Sequence, residues 1–129
     1  MNILLVDDDR TLADSTAKLI HRLGEHDVYI TEDPVEILLL CEAEKVDLVI
    51  MDINLPGAQW QGQAVSGADI ARMLKERVLT NHIPIILVTA YAMINERQAL
   101  LEISKADEFV VKPITDYAAF LKLIDQLGN

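Results

Sequence analysis

Short apolar runs bounded by acidic residues or proline alternate along the chain with longer stretches in which apolar residues recur at helical spacing. This alternation is typical of repeated strand-helix units built around a parallel sheet. Most of the runs are rich in Ile, Val and Leu without polar alternation, as expected for strands that helices cover on both faces. The pattern predicts five strands, at residues 3–6, 28–31, 48–51, 85–88 and 109–111.

Five stretches of helical spacing follow these strands. The first is expected to stop at Gly24, and the second to begin at Asp33-Pro34 and run through Ala43. The others are expected at residues 68–78, 93–104 and 116–127. With 129 residues, the chain is expected to form one α/β domain over residues 1–129. The run at 28–31 is more polar than the others and is expected at a sheet edge.

Acidic residues follow two of the predicted strands at the point where each strand ends. Asp7, Asp8 and Asp9 come directly after the first run, and Asp52 comes directly after the third. If these strands are neighbours, as in the flavodoxin-like order 2-1-3-4-5, the carboxylates meet at the edge where open α/β sheets bind ligands. Carboxylates this close repel each other, and a hard cation relieves the repulsion. Mg²⁺ fits, because it prefers oxygen ligands and is usually held by one or two carboxylates.

This group of acids has a possible chemical use. A carboxylate can attack phosphorus and form an aspartyl phosphate when a metal ion and a cationic side chain neutralise the transferring group. Lys112, directly after the fifth predicted strand, can supply that cation. Asp9 and Lys112 also have simpler structural interpretations. Asp9 can cap the next helix, and a lone lysine such as Lys112 is most often solvated.

Four segments carry a resemblance that covers nearly the whole chain. They read ILLVDDD at residues 3–9, DLVIMDINLPG at 47–57, PIILVTA at 84–90 and VVKP at 110–113. In this order and at this spacing they resemble the receiver domains of two-component response regulators, and single-domain chemotaxis-type regulators among them. The resemblance implies a flavodoxin-like doubly wound sheet of five parallel strands with five helices. It also implies a phosphoacceptor that catalyses only its own phosphorylation and dephosphorylation.

The resemblance assigns the reacting groups to individual residues. Asp52 looks like the phosphoacceptor, and Lys112 like the lysine that pairs with the phosphate. Asp7 and Asp8, together with Asp52 and the backbone carbonyl of Asn54, look like the ligands of Mg²⁺. The bond between Lys112 and Pro113 resembles one that is cis in the family.

The resemblance also assigns switch and lifetime positions. Thr89 looks like the switch hydroxyl and Ala90 like its small neighbour, while Phe109 resembles the switch aromatic. Asn54 and Tyr91 match positions that flank the phosphoryl group and tune its lifetime. Local alternatives remain, because a strand-end Thr89 can cap the next turn and Phe109 can be plain core.

One stretch departs from the family pattern. The family usually reaches the glycine before the third helix soon after the LPG segment, whereas here residues 58–66 precede Gly67. This stretch is rich in Gln, has no clear period and is interpreted as a long irregular loop. It could shield the phosphoryl group from water, present Trp60 to a partner, or be a tolerated insertion, because loop-closure entropy penalises length only weakly.

The charge and composition of the chain argue against some classes of partner. A formal net charge of −10, from 21 acidic and 11 basic residues, argues against nucleic acid or anionic lipid as a direct partner. No apolar run reaches membrane-spanning length, and we expect a cytoplasmic protein. Cys41, the single cysteine, is expected in the core. His21, His26 and His82 form no ligand-like cluster with it and are expected at the surface or a sheet edge.

Two other functions compete with this interpretation. The segment DDDRT at residues 7–11 also fits the D-x-D-x-T signature of haloacid dehalogenase-like phosphatases, with Asp7 as nucleophile and Thr89 and Lys112 in supporting roles. Against this, no later acidic pair follows Lys112, and the Asp52 segment would have no purpose. A pseudo-receiver that only docks partners is the other rival, and it has no need of the full set of acids, Thr and Lys.

The resemblance implies signalling by protein contact. A sensor histidine kinase or a phosphotransfer protein would supply the phosphoryl group. Thr89 would then move inward and Phe109 would rotate toward the interior, which biases a surface around the fourth helix, fifth strand and fifth helix. We expect a downstream protein target, with the chain as a monomer or a phosphorylation-dependent dimer, unless these residues begin a longer regulator.

Overall fold

The computed structural model describes residues 1–90 and 94–128, in which strands and helices alternate as the pattern predicted. The strands are β1 (Asn2–Val6), β2 (Asp27–Thr31), β3 (Leu48–Asp52), β4 (Gln59–Trp60), β5 (Gln63–Ala64), β6 (Ile85–Thr89) and β7 (Glu108–Val111). The helices are α1 (Arg10–Gly24), α2 (Pro34–Glu42), α3 (Gly67–Lys75), α4 (Ile94–Ser104) and α5 (Tyr117–Gly128).

Five of the strands form one parallel sheet in the order β2-β1-β3-β6-β7. When β4 and β5 are left out of the count, this is the predicted order 2-1-3-4-5. The strand β2 lies at an edge, as its more polar sequence indicated. Strands β1 and β3 are neighbours, with Val6 paired to Met51. The residues that follow these two strands therefore emerge at the same level of the sheet.

The sheet is covered on both faces, which explains its nearly continuous apolar strands. In β1, Leu4 and Val6 belong to a buried cluster shared with α2 and α3, whereas Ile3 and Leu5 belong to a cluster shared with α1 and α5. Successive side chains of a strand point to opposite faces, so one apolar run supplies both clusters. Among the described residues, no helix has the length and apolar character needed to cross a membrane.

The interpretation of residues 58–66 as an irregular loop was wrong, because this stretch forms a β-hairpin. Strands β4 and β5 pair antiparallel through Gln59 with Ala64 and Trp60 with Gln63. The two turn residues, Gln61 and Gly62, have φ values of 52° and 81°. Positive φ at both positions is the requirement of the type I′ turn, whose twist matches that of paired strands.

One predicted helix end is confirmed and another needs correction. Helix α1 ends at Gly24 as expected, but the left-handed capping residue is Glu25, with φ of 57°. Gly24 is closely packed, since a Cβ there would lie 2.9 Å from side-chain atoms of His26 and Leu121, which would have to shift. Helix α3 ends at Lys75 rather than at residue 78, because the chain turns there and Thr80 donates its buried hydroxyl to the Leu74 carbonyl at 2.6 Å.

His26, which was expected at the surface or at a sheet edge, directly precedes the edge strand β2 and is buried there. Its Nδ1 lies 3.1 Å from the Met1 amino group, and its Nε2 lies 2.9 Å from Asp125 Oδ1. A polar ring can be buried at little cost when both of its nitrogens have partners. His26 therefore joins the start of β1 to α5.

Candidate functional site

Three carboxylates meet at the carboxyl edge of the sheet, as the strand order required. Asp7 follows β1 and Asp52 ends β3, two strands that are paired at Val6 and Met51. One carboxylate oxygen from each of Asp7, Asp8 and Asp52 lies within 4.8 Å of the others. Asp7 and Asp52 are buried, whereas Asp8 is exposed. These three residues are called the acidic cluster below.

Lys112 reaches the acidic cluster from the far edge of the sheet. It follows β7, and its Nζ lies 2.9 Å from Asp52 Oδ2 and 3.1 Å from Asp7 Oδ2. Its backbone N–H donates to the Thr89 carbonyl at 2.7 Å, which fixes the start of the side chain. The peptide bond from Lys112 to Pro113 is cis, as the resemblance implied. The ammonium therefore bridges two carboxylates that come from different strands.

Burial and charge act in opposite directions on this group. Burial raises the pKa of Asp52, whereas the hydrogen bonds and charge of Lys112 and the hydrogen bond from the Asn54 N–H lower it. The negative charge of Asp7 raises it again, and the pKa of Asp52 stays above its ordinary value. Burial lowers the pKa of Lys112, but hydrogen bonds to Asp52 and Asp7 outweigh this effect and raise it. Two carboxylates share one ammonium, and the remaining negative charge favours an added cation.

Backbone N–H groups hold two of the carboxylates in place. The Asp9 N–H donates to Asp7 Oδ1 at 2.9 Å, and the Asn54 N–H donates to Asp52 Oδ1 at 3.2 Å. Asp9 itself accepts a hydrogen bond from the Leu12 N–H at 3.1 Å and is the N-cap of α1. Asp9 therefore has the capping role that was its structural alternative.

Thr89 and Ala90 lie at the end of β6, beside the acidic cluster. Thr89 is the last residue of the strand and is buried. Ala90 lines a cavity of about 380 Å³ whose wall also includes Asp7, Asp52 and Lys112. The small Ala90 side chain therefore leaves room next to Asp52. Tyr91, the other predicted lifetime position, lies outside the described residues.

Phe109 is buried on β7 and is covered by α4. It belongs to the core cluster under α2 and α3, with only 4% of its surface exposed. The Arg97 guanidinium lies 5.4 Å from the centre of its ring, and Arg97 Nη2 lies 3.7 Å from Glu108 Oε1. A cation over an aromatic face is attracted by the ring quadrupole. Arg97 thus links α4 to β7 at the predicted switch aromatic.

Trp60 lies on the hairpin and is half-buried. It packs against the core cluster under α2 and α3, and the Arg77 guanidinium lies 5.8 Å from its ring centre. Arg77 Nη1 in turn donates to Glu42 Oε1 at 2.7 Å. These contacts fasten the hairpin to the ends of α2 and α3, while contact of Trp60 with a partner stays a prediction.

The family of the chain follows from its match to known domains. A model of the response regulator receiver domain matches residues 3–124. The chain belongs to this family. It is accordingly a phosphoacceptor signalling domain of the two-component type, as the four sequence segments implied.

The receiver domain has relatives of different lengths. It is 36% identical over 115 residues to the cyclic di-GMP phosphodiesterase response regulator RpfG of Xanthomonas campestris, across 88% of this chain and 28% of RpfG. It is 31% identical over 112 residues to the sensory transduction protein RegX3 of Mycobacterium tuberculosis, across 87% of this chain and 44% of RegX3. It is 30% identical over 124 residues to the chemotaxis protein CheY-3 of Vibrio cholerae, across 95% and 86%. The chain thus spans less than half of RpfG and RegX3.

Solved structures share the fold. A CheY-like receiver domain from Methanospirillum hungatei is 28% identical, with a TM-score of 0.75 over 98% of this chain and 92% of that chain. The receiver domain of sensor histidine kinase PA1611 from Pseudomonas aeruginosa is 22% identical, with a TM-score of 0.80 over 99% and 98%. That structure has a magnesium ion in its active site cleft. These comparisons give no support to the phosphatase alternative with Asp7 as nucleophile.

Two contacts of the receiver domain were not anticipated from sequence. Gly67 stands against the backbone of Asp52, since a Cβ there would lie 1.9 Å from the Asp52 carbonyl oxygen. The available signal was a glycine directly before a helical pattern. Nothing in the sequence indicated that Arg97 lies over Phe109, because a charged residue on a helix usually faces solvent.

Proposed function

We propose that Asp52 is the phosphoacceptor of this receiver domain, and that residues 1–129 form a single domain of this kind. The observation that carries the proposal is the contact of Lys112 Nζ with both Asp52 and Asp7 at the carboxyl edge of the sheet. A buried acid that is held by a neighbouring N–H and faced by an ammonium suits a nucleophile that must later carry a phosphoryl group.

The acidic cluster fits Mg²⁺. Its three carboxylates supply oxygen donors within 4.8 Å of each other, and one ammonium leaves their charge incompletely balanced. We propose that Asp7 and Asp8, with Asp52 and the backbone carbonyl of Asn54, hold the ion. When bound, Mg²⁺ would supply positive charge for the transferring phosphoryl oxygens. The magnesium ion in the PA1611 receiver structure is consistent with this assignment.

The reaction is in-line phosphoryl transfer from a phosphohistidine. An oxygen of the Asp52 carboxylate forms a bond to phosphorus, and the bond from phosphorus to the imidazole nitrogen of the donor breaks. Lys112, which pairs with Asp52 before transfer, pairs with the phosphoryl oxygens afterwards. Attack of water on phosphorus later restores the free carboxylate.

Switching follows from the added charge. Thr89, next to the acceptor at the end of β6, supplies a hydroxyl to the phosphoryl oxygen, and Ala90 leaves room for this movement. Phe109 on β7 responds with a change of packing under α4, which biases a two-state surface formed by α4, β7 and α5. Asn54, two residues after Asp52, tunes the lifetime of the phosphoryl group. The same role for Tyr91, which lies outside the described residues, rests only on its place in the family pattern.

The partners follow from this chemistry. A histidine kinase or phosphotransfer protein supplies the phosphoryl group, and a downstream protein reads the altered surface. RpfG and RegX3 extend well beyond the part that this chain matches, so their whole-protein activities do not transfer to it.

The test incubates the protein with Mg²⁺ and a small phosphodonor such as an acyl phosphate and maps the added phosphoryl group by mass spectrometry. Wild type should gain one group on Asp52, and Asp52→Asn should gain none. Asp14→Asn is the matched control, because it removes the same charge from an exposed acid on α1 that pairs with Arg10. Unchanged modification of Asp52→Asn would place the acceptor elsewhere.

A further inference from the structure

The backbone from Ile53, next to Asp52, to Gly67 forms a loop that contains the hairpin and is closed by two hydrogen bonds. This loop is called the closed stretch below. The Gly67 N–H donates to the Ile53 carbonyl at 2.8 Å, and the Val65 N–H donates to the Ala58 carbonyl at 3.0 Å. Strands β4 and β5 pair beyond the second closure. Residues 54–57, which begin two positions after Asp52, therefore lie between these two hydrogen bonds, and their position depends on where the hairpin is held.

Side chains hold the hairpin on the helices. A ribbon with two residues in each strand has little stability of its own. Ala58, Trp60 and Val65 pack against the core cluster under α2 and α3, and Arg77 covers the Trp60 ring at 5.8 Å. Arg77 is itself fixed by its hydrogen bond to Glu42 at the end of α2. Trp60 is thus the largest side chain that fastens the hairpin.

The closed stretch touches the acceptor at two points. The Asn54 N–H donates to Asp52 Oδ1 at 3.2 Å, and the Cα of Gly67 lies against the Asp52 carbonyl. A displacement of the hairpin therefore moves the backbone of Asn54 relative to the Asp52 carboxylate. Magnesium is sensitive to such a displacement, because it demands near-octahedral geometry with ligand distances of about 2.0–2.1 Å.

We infer that Trp60 is a positioning residue for the divalent cation: it holds the hairpin on α2 and α3 and thereby fixes the Asn54 carbonyl relative to Asp52. The inference rests on the proposed function, in which that carbonyl is a ligand. It gives the inserted residues 58–66 a role at the metal site. Trp60 acts through the backbone and touches no reacting atom.

The experiment compares Mg²⁺ with Ca²⁺ in variants of the full chain by titration calorimetry. Calcium accepts longer and more variable ligand distances than magnesium, so it tolerates a displaced carbonyl better. In Trp60→Ala we expect Mg²⁺ to bind about tenfold more weakly, as for other residues that orient metal ligands, with a clearly smaller loss for Ca²⁺. Trp60→Phe keeps an aromatic ring under Arg77 and should restore most of the Mg²⁺ affinity.

Two controls separate positioning from general loss of stability. Gln63→Ala removes the exposed cross-strand neighbour of Trp60 and should change neither affinity. Ile124→Val destabilises the fully buried core on the opposite face and should lower the unfolding midpoint while leaving the ratio of Mg²⁺ to Ca²⁺ affinity unchanged. If Trp60→Ala does not fold, Arg77→Met loosens the same contact and should shift the ratio in the same direction.

The outcomes are distinguishable from those of the proposed function. An unchanged Mg²⁺ affinity in the folded Trp60 or Arg77 variants, or equal losses for Mg²⁺ and Ca²⁺, would overturn the positioning role. Phosphorylation of wild type at Asp52 would then still support the proposed function. Modification of wild type at another residue would instead remove the proposed acceptor.

Discussion

The Lys112 ammonium competes with any bound cation, because its Nζ already contacts Asp7 and Asp52 at 3.1 and 2.9 Å. Replacing Lys112 by Met keeps most of the length of the side chain and removes its charge. We expect Lys112→Met to bind Mg²⁺ about tenfold more tightly, since a repulsive charge is lost. We also expect phosphoryl transfer to become about 100-fold slower, since the developing charge loses a partner. Calorimetry and the rate of modification at Asp52 measure the two effects.

Lys105→Met is the matched control for this substitution. Lys105 is exposed and lies 3.9 Å from Glu76, away from the acidic cluster. It should change neither Mg²⁺ affinity nor transfer rate, because surface ion pairs contribute little. Weaker Mg²⁺ binding in Lys112→Met would contradict the competition between ammonium and metal ion.

Cys41 offers a test of how burial controls ionisation. Burial, and to a lesser extent the Glu42 charge, raises the pKa of the Cys41 thiol to about 12. The unfolded chain releases this proton nearer the ordinary thiol pKa, so between the two values the free energy of unfolding falls as pH rises, by at most about 1.4 kcal/mol per pH unit. Below the ordinary value the thiol adds no pH dependence. The stability advantage of wild type over Cys41→Ala should shrink from about pH 8 to about pH 10 in denaturant titrations.

Individual site residues differed in how far sequence could reveal them. Asp7, Asp52 and Lys112 stand directly after apolar runs, so their meeting followed once the strand order was assumed. The contact of Gly67 with Asp52 depends on the path of the chain between residues 53 and 67. That path is set by packing against helices, which no local pattern encodes.

At the scale of secondary-structure elements, α3 can begin beside Asp52 only because its first residue, Gly67, lacks a side chain. A Cβ on Gly67 would lie 1.9 Å from the Asp52 carbonyl oxygen and 2.8 Å from its carbon. We expect Gly67→Ala to push α3 away from β3 and to lower the free energy of unfolding by about 2–3 kcal/mol, in the upper part of the range for overpacking. Urea denaturation measures this loss.

Gly57→Ala is the control for Gly67→Ala, because it adds backbone strain without steric crowding. Gly57 has φ of 80°, and a Cβ there would meet nothing within 4 Å. This substitution should cost only the left-handed strain, about 1–2 kcal/mol, and should leave Mg²⁺ affinity close to that of wild type. If Gly67→Ala were no more harmful than Gly57→Ala, tight packing of α3 on the acceptor strand would be refuted.

The hairpin shows why some secondary-structure elements cannot be predicted from the sequence pattern. Its strands have two residues each, too few for an alternating pattern to be recognised. Its turn is Gln61-Gly62 rather than the Asn-Gly or Asp-Gly pairs that usually mark type I′ turns. The hairpin is held by the contacts of Trp60 with Arg77 and the core, and these contacts join segments distant in sequence.

For the molecule as a whole, the sheet order could be anticipated because few topologies suit five strand-helix units. Parallel strands need crossover helices, and in the flavodoxin-like order that the resemblance implied the first and third strands are neighbours. The polar sequence of β2 indicated an edge strand. Helix ends were less certain, since turns such as the one after Lys75 depend on buried partners like the Thr80 hydroxyl.

A divalent cation should stabilise the whole molecule through its effect on the folded state alone. The acidic cluster exists only when β1 and β3 are paired, so Mg²⁺ is expected to bind the native chain far better than the unfolded one. Such binding adds about 2.7 kcal/mol to the free energy of unfolding when the ion is at about 100 times its dissociation constant. We expect the thermal midpoint to rise with Mg²⁺ in wild type.

Screening must be separated from binding, because a chain with a net charge of −10 gains stability from any added salt. Sodium chloride at matched ionic strength supplies the screening without a hard divalent ion, so only the excess shift in Mg²⁺ reports the site. In Asp52→Asn that excess should largely vanish, whereas Asp14→Asn, with the same change of charge on α1, should keep it. An equal Mg²⁺ shift in both variants would mean that the ion acts on the general charge of the molecule, and the acidic cluster would lose its role as a metal site.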